Sequence, residues 1–224
     1  MPRRSFLNRH VRVAPPDEET ASRYFLYWDT KDLYHAPGAF PAVTSEALFR
    51  NDAQLEVEVG CGTGEYLCSL AARNPAANFI GFDINLKALY VAVEHARSLS
   101  LQNVKFVKAP FQYVYPLLVD DSVQAIYLHF PEPILHPRFR KQRIYNSAFI
   151  SHVHRALMPG GKFSIVTDSE ELFKELHSLI KRDGRFHEVN PQPASEPVIK
   201  SRYHAYWEAH GVPIYKLEVT KRIS

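Results

Sequence analysis

The sequence predicts an α/β domain built on a mostly parallel, seven-stranded sheet with helices on both faces. Short apolar runs of strand length alternate with segments of helical period, and glycine or proline marks most boundaries between them. The chain has 224 residues, the length of one domain with a full hydrophobic core. Ligands of such sheets bind beyond the carboxyl ends of the strands, so residues that follow each strand are the first functional candidates.

The strands are predicted from short runs that either alternate in polarity or are continuously apolar. The first, LEVEV at 55–59, alternates and leads into a glycine-rich loop. Six further runs have strand length and lie at 78–82, 104–107, 123–130, 162–167, 185–189 and 214–219.

Four helices are predicted between these strands from apolar residues at helical spacing. They cover 64–73, 85–98, 145–157 and 172–180. Each of three has a clear stop signal, because Asn74-Pro75, Pro159 and Gly184 cannot easily continue a helix.

Positive charge is concentrated in separate patches. The net charge of +3 is too small to indicate a partner, but four arginines and no acid lie within 1–13, and four cations lie within 138–143. Such patches suit a polyanion, with nucleic acid first, although solvated surface charge is the simpler explanation on charge alone. Residues 1–40 are predicted to be an N-terminal arm, extended or partly helical, that is flexible or contacts RNA. Residues 41–224 are predicted to be the folded domain.

Composition favours a reduced cytoplasmic protein without metal or membrane. Cys61 and Cys68 are too few for a disulfide framework and match no zinc motif, and the histidines have no metal-ligand spacing. The basic N-terminus lacks the apolar stretch of a secretory signal. No run approaches the ~18 apolar residues needed to span a bilayer.

The first strand ends in the loop Glu58-Val-Gly60-Cys-Gly62-Thr-Gly64, where glycines let the backbone approach a ligand at a helix start. A dinucleotide site would need glycine or alanine where Glu65 stands, and Glu58 suits a cationic ligand better than a pyrophosphate. Asp83 closes the second strand, where a carboxylate can accept hydrogen bonds from both ribose hydroxyls. This pattern is similar to the S-adenosylmethionine site of class I methyltransferases, although a turn without a ligand would also use glycines. The predicted cofactor residues are Glu58, Gly60, Gly62, Gly64 and Asp83.

Motifs in the second half of the chain resemble one family. Residues 129–133 read His-Phe-Pro-Glu-Pro before a basic run, and LMPGGKFSIVTD stands at 157–168. Near the C-terminus, 201–204 read Ser-Arg-Tyr-His and 211–215 read Gly-Val-Pro-Ile-Tyr. These resemble the Phe-Pro-Asp-Pro-Trp, Pro-Gly-Gly…Thr-Asp, Thr-x-Tyr-Glu and Gly-x-Pro-Ile-Tyr patterns of the tRNA (guanine-N(7)-)-methyltransferases, over roughly residues 54–218.

The resemblance implies a Rossmann-like class I methyltransferase fold that transfers a methyl group from S-adenosylmethionine to nitrogen 7 of a guanine in tRNA. It puts Glu132 at the catalytic corner. The substrate-binding residues it implies, together with the cations that suit phosphate contacts, are His136, Arg138, Lys141, Arg143, Asp168, Ser201 and His204.

The chain departs from the family pattern at several of these positions. Glu132 replaces aspartate, Ile134 and His136 replace an aromatic residue and a lysine, and His204 replaces a glutamate. A third-strand acid that contacts the adenine in the family falls near Ala109. These departures bear on acceptor recognition and on the adenine contact.

The expected chemistry needs few catalytic groups. Nitrogen 7 of guanine has a free lone pair, so the enzyme chiefly aligns donor and acceptor, which can be worth ~7–11 kcal/mol. Glu132 and Asp168 are candidates for stabilising the positive charge that develops on the purine and for orienting it. Simpler roles exist for both: Glu132 could pair with Arg138 at the surface, and Asp168 could cap the next helix.

Two alternatives to this function stay open. The chain could be a class I methyltransferase with a different RNA or another acceptor, or a catalytically silent RNA-binding homologue. Nothing in the sequence distinguishes a monomer from a homodimer.

Overall fold

The computed structural model describes residues 13–133, 144–189, 199 and 201–223. Eight strands form one sheet: β1 (Phe25–Tyr27), β2 (Leu55–Val59), β3 (Asn78–Asp83), β4 (Val104–Lys108), β5 (Val123–His129), β6 (Leu157–Thr167), β7 (Phe186–Glu188) and β8 (Tyr215–Lys221). The helices are α1 (Glu18–Tyr24), α2 (Thr30–His35), α3 (Ser45–Phe49), α4 (Glu65–Arg73), α5 (Leu86–Ser98), α6 (Ser147–Ala156), α7 (Glu170–Asp183) and α8 (Arg202–Ala209).

The strand order is β1-β4-β3-β2-β5-β6-β8-β7. Strands β1 to β6 run parallel, and β8 lies antiparallel between β6 and β7. The chain moves outward from β2 to β3 and β4, then crosses back to β5 on the other side of β2. This reversal separates the loops that leave β2 and β5, and it opens a crevice at the carboxyl ends of the two strands.

The predicted α/β fold with a mostly parallel sheet is confirmed, and the sheet has one strand more than predicted. The additional strand, β1, pairs with Phe106–Lys108 of β4. The next residue, Trp28, is buried against Phe40 and Phe82, with ring centroids 5.7 and 5.9 Å away. The division between an arm and a domain at residue 40 stays a prediction.

Side-chain and glycine caps fix the helices that surround the crevice. Asn85 accepts a hydrogen bond from the N–H of Ala88 at the start of α5, and Gly184 ends α7 with a φ of 72°. The suggestion that Asp168 caps α7 is wrong. The cap is Ser169, whose hydroxyl accepts from the N–H of Leu172, because the chain turns into the helix one residue later.

Both faces of the central sheet are buried. One apolar core lies between the sheet and helices α6 and α7, and includes Val57, Phe149 and Leu176. The other lies between β3, β4 and helices α4 and α5, and includes Phe79 and Leu89. A parallel sheet covered on both faces is rigid, so its carboxyl edge is a fixed platform for the loops that follow the strands.

The described part of the chain contains no helix that is both long and apolar enough to cross a membrane. Among the same residues, no group of three or more histidine, cysteine, aspartate or glutamate side chains could hold a metal ion.

Candidate active site

A cavity of about 660 Å³ opens at the carboxyl ends of β2, β3, β4 and β5. Its wall is formed by the loops after these strands and by the start of α8. Six of the predicted site residues line it: Glu58, Gly60, Gly62, Asp83, Glu132 and Ser201. Residues far apart in the sequence therefore meet in one space.

The glycine loop forms the part of the wall after β2. Gly60, Gly62 and Gly64 have φ values of 80°, 55° and 75°, a left-handed backbone that other residues rarely adopt. A Cβ atom at Gly60 or Gly62 would meet nothing within 4 Å, so a ligand can come close to that backbone. Gly64 has a different role. A Cβ there would lie 2.7 Å from that of Ala92, so this glycine allows α4 to pack on α5.

Asp83 is held in place by the loops beside it. Its two carboxylate oxygens accept hydrogen bonds from the N–H groups of Gly62 and Asn85, each at 2.8 Å. Burial raises the pKa of Asp83, and these hydrogen bonds oppose that rise. Each oxygen has a second lone pair, so the oriented carboxylate can still accept from a pair of vicinal hydroxyls.

Glu58 is a buried carboxylate in the wall of the cavity. Its side chain is 3% exposed, and Oε2 has no hydrogen-bond partner in the described part of the chain. Burial raises its pKa well above the usual value, and the neighbouring carboxylates of Glu65 and Asp83 add to this. A buried carboxylate without a partner is costly unless a cation or a hydrogen-bond donor reaches it.

Acidic side chains predominate among the described charged residues of the cavity wall. Four carboxylates line it, and no lysine or arginine does so among the described residues. The four are Glu58, Glu65, Asp83 and Glu132. Such a wall attracts a cationic ligand and disfavours a pyrophosphate.

The corner after β5 directs Glu132 into the cavity. Phe130 has a φ of 49°, uncommon for a residue other than glycine, and its N–H donates to the carbonyl oxygen of Val166 at 2.6 Å. Its ring is buried and lies against Tyr203 and His204 of α8, with centroids 6.2 and 6.0 Å away. Glu132 follows as an exposed side chain in the cavity wall.

A neutral histidine underlies this corner. His129 lies edge to face with Tyr66 at 4.5 Å, and its Nε2 lies 3.0 Å from the hydroxyl oxygen of Ser164. Burial, helped by nearby His204 and Lys162, lowers the pKa of His129 to about 3. The ring is therefore uncharged at neutral pH and adds aromatic surface to the cavity.

The start of α8 brings the C-terminal motif to the same wall. Ser201 caps α8 by accepting from the N–H of His204 at 3.2 Å, and both Ser201 and Tyr203 line the cavity. Three other predicted residues lie elsewhere. Gly64, Asp168 and His204 do not line the cavity, and His204 is buried behind Phe130. His136, Arg138, Lys141 and Arg143 lie outside the described residues.

Several lining residues were missed by the sequence analysis. They include Thr63, Tyr66, Ile84, Gln112, His129, Phe130 and Tyr203. Ile84, Gln112 and Phe130 all follow strands, so the rule that ligands bind at strand ends could have identified them. Tyr66 had no such signal, since it lies in the first turn of α4, inside the helix.

Comparison with known proteins first gives the class. The Methyltransf_4 family model, described as "Putative methyltransferase", matches residues 52–217. The structure of the 16S rRNA methyltransferase KamB superposes with a TM-score of 0.60 at 13% identity, over 80% of this chain and 92% of that chain. At such identity the likeness shows the fold alone. Fold and family together define a class I methyltransferase, the class that uses S-adenosylmethionine.

Relatives narrow the class to one family. The tRNA (guanine-N(7)-)-methyltransferase of Rubrobacter xylanophilus is 44% identical over 94% of this chain and 96% of its own length. The protein of the same name from Chloroherpeton thalassium is 40% identical over 95% of each chain. The chain belongs to the tRNA (guanine-N(7)-)-methyltransferase family, which confirms the resemblance of its motifs.

Proposed function

We propose that this protein transfers a methyl group from S-adenosylmethionine to nitrogen 7 of a guanine in tRNA. One observation carries the proposal: in a member of this family, a single cavity contains both the buried Glu58 and the exposed Glu132, and Oε2 of Glu58 has no hydrogen-bond partner among the described residues. The first suits a cationic cofactor and the second an acceptor base.

The residues fit the cofactor. S-adenosylmethionine supplies a methyl group on a positively charged sulfur and also has an ammonium group. Glu58 provides the negative charge that such a ligand needs, and Asp83 provides oriented acceptors for ribose hydroxyls. Gly60 and Gly62 leave room for the ligand to lie against the backbone.

Glu132 and Ser201 are the proposed acceptor residues within the described cavity. A carboxylate at this corner can accept from the guanine ring N–H and amino group, and it stabilises positive charge on the purine as nitrogen 7 is alkylated. The hydroxyl of Ser201 can donate while it caps α8. No group has to remove a proton before the reaction, so alignment is the main contribution of the protein.

The remaining acceptor contacts rest on the family motifs. We assign Arg138, Lys141 and Arg143 to tRNA phosphates, and His136, Asp168 and His204 to the surroundings of the guanine. A monomer and a homodimer are both compatible with this function. A tRNA acceptor favours the cytoplasm as the location.

Nucleoside mass spectrometry tests the proposal. Unmodified tRNA is incubated with the protein and S-adenosylmethionine carrying a labelled methyl group, then digested to nucleosides. The expected product is labelled 7-methylguanosine. Label in another nucleoside would support a different RNA acceptor, and no label would support a silent homologue.

The variant Glu132→Ala separates acceptor chemistry from cofactor binding. We expect it to lower methyl transfer by at least ~10²-fold, the usual effect of removing one stabilising group at the reacting centre. Calorimetric affinity for the cofactor should change little, because Glu58 and Asp83 are intact. Transfer at the rate of the unchanged protein would remove Glu132 from the mechanism.

A further inference from the structure

The far end of the cavity raises the question of what recognises the purine base of the cofactor. In the sheet, β3 lies between β2 and β4. With the cationic part of the ligand at Glu58 near the end of β2 and the ribose at Asp83 at the end of β3, the base reaches the loop after β4. That loop contributes the four consecutive residues 109–112 to the cavity wall.

Some polar backbone groups of this loop already have partners within the protein. The N–H of Ala109 donates to the carbonyl oxygen of Asp83 at 3.1 Å. Pro110 has no N–H, and its carbonyl oxygen accepts from the N–H of Tyr113 at 3.0 Å. The N–H of Ala109 and the carbonyl oxygen of Pro110 are therefore already engaged within the protein.

Among the side chains at this end, Gln112 has the polar groups that a purine edge needs. Ile84, Ala109, Pro110 and Phe111 supply only apolar surface, and the Oδ1 atom of Asn85 already caps α5. Gln112 is exposed within the cavity wall, and no hydrogen bond joins its amide to any other described residue. Its amide is thus available to a ligand.

We propose that Gln112 recognises the edge of the cofactor base and that this recognition tolerates both 6-amino and 6-oxo purines. An amide has one acceptor oxygen and one donor nitrogen. Facing adenine, the oxygen accepts from the 6-amino group and the nitrogen donates to ring nitrogen 1. Facing hypoxanthine, the flipped amide donates to the 6-oxo group and accepts from the N–H at position 1.

A different contact would give the opposite specificity. The N–H groups of Phe111 and Gln112 lie in the first turn of a 3₁₀ helix and can only donate. Recognition through them would favour adenine, whose nitrogen 1 accepts, and would reject hypoxanthine, which has a proton there. Binding of the 6-oxo purine therefore distinguishes recognition by the Gln112 side chain from recognition by the backbone N–H groups.

Calorimetry with two ligands tests the inference on the full chain. S-adenosylhomocysteine and its deaminated analogue, S-inosylhomocysteine, are titrated into the unchanged protein and into Gln112→Met, which keeps the length of the side chain but not its hydrogen bonds. We expect the unchanged protein to bind the two ligands within about threefold of each other. Gln112→Met should weaken both by about fivefold or more, since each loses its polar contacts to the side chain.

Gln102→Met is the matched control. Gln102 is also an exposed glutamine, but it lies outside the cavity wall, and its amide donates to the carbonyl oxygen of Ser100 at 3.1 Å. Both dissociation constants should stay unchanged in this variant.

Two results would overturn the inference: rejection of the 6-oxo ligand by more than about tenfold, or unchanged binding of both ligands by Gln112→Met. The inference rests on the cofactor half of the proposed function. A protein that binds the ligands as expected but leaves tRNA unmethylated would contradict the tRNA activity alone. A protein that binds neither ligand would contradict both.

Discussion

At the scale of single residues, Phe130 determines where the candidate catalytic acid points. A left-handed backbone costs a residue with a Cβ about 1–2 kcal/mol, so the surrounding structure must hold it. That support comes from the hydrogen bond that its N–H donates to the carbonyl oxygen of Val166, and from the packing of its ring against Tyr203 and His204. The ring of Phe130 thus couples α8 to the position of Glu132.

We expect Phe130→Gly to lower the turnover number and leave cofactor affinity unchanged. Glycine adopts a positive φ without strain, but the corner loses the ring that anchors it to α8, so Glu132 is no longer held. A displacement of about 1 Å near a reacting centre can cost ~10²-fold in rate. Steady-state methylation and calorimetry measure the two quantities. Phe130→Leu keeps apolar packing, so its turnover number should fall less. Equal losses of turnover in both variants would argue against anchoring by packing.

Glu58 illustrates a residue whose function opposes stability. Its raised pKa means that the folded protein binds this proton more tightly than the unfolded chain, whose value is near 4.5. Folding is therefore penalised progressively as the pH rises above 4.5, and the penalty is complete above the raised pKa. A cationic ligand removes this penalty.

We expect Glu58→Gln to stabilise the ligand-free protein while weakening cofactor binding. Removing an unpaired buried charge should gain about 1 kcal/mol, or roughly 2–4 °C in Tm, at pH 8. The gain should vanish near pH 4.5, where the unchanged side chain is also protonated. Thermal unfolding at the two pH values and calorimetry measure these effects. Glu56→Gln is the comparison variant: burial also raises the pKa of Glu56, but its carboxylate accepts from the hydroxyl of Tyr127 at 2.6 Å, so Tm should gain less than in Glu58→Gln.

Sequence reasoning predicted some of these residues and not others, for physical reasons. Glu58 and Asp83 were predicted because their positions depend on local order, a strand followed by a turn. The conformation of Phe130 could not be predicted, since contacts with α8, more than 70 residues later, maintain it. Gln112 follows β4, which made it a candidate, but one short 3₁₀ turn decides whether its side chain lines the cavity.

At the scale of elements, the three glycines of the loop after β2 serve two different functions. Gly62 lines the cavity and has open space where a Cβ would be, whereas Gly64 begins α4 against Ala92 and Phe106. The motif therefore combines an opening for a ligand with a close contact between helices.

The paired variants Gly62→Ala and Gly64→Ala should separate these functions. In Gly64→Ala the backbone keeps an unfavourable φ, and the new Cβ would lie 2.7 Å from the Cβ of Ala92 and 3.0 Å from the ring of Phe106. We therefore expect a loss of about 2–4 kcal/mol in the free energy of unfolding. Gly62→Ala has only the backbone cost, about 1–2 kcal/mol, but should weaken cofactor binding more. Denaturant unfolding and calorimetry test this, and similar losses of stability would contradict it.

Helices and central strands were predictable because each has several apolar residues at a regular spacing. Helix α5 was predicted at 85–98 and observed at Leu86–Ser98. Strand β1 was missed because it has only three residues, too few to display a period. Its pairing with β4 joins segments some 80 residues apart, which local patterns do not encode.

At the scale of the whole molecule, the reversal of strand order at β2 brings together parts of the chain from β2 to α8. The cofactor motif, the acid corner and the C-terminal motif meet only because β2 and β5 are neighbours. The resemblance to a family could predict this arrangement, whereas spacing along the sequence could not. The N-terminal segment contributes to the same body through β1 and Trp28.

Two deletions test where the folded unit begins and what the basic residues before it do. Removing residues 1–40 eliminates β1 and Trp28, and loss of a buried tryptophan alone costs about 3–5 kcal/mol, so we expect no cooperative unfolding transition.

Removing residues 1–12 eliminates four arginines but none of the described core, so Tm should be unchanged. If these arginines contact tRNA phosphates, tRNA affinity falls, and the slope of log K against log salt shrinks by about 0.7–0.9 for each lost contact. An unchanged slope would mean that the arginines only solvate the surface. If the variant that lacks residues 1–12 has a lower Tm, these residues belong to the folded unit as well.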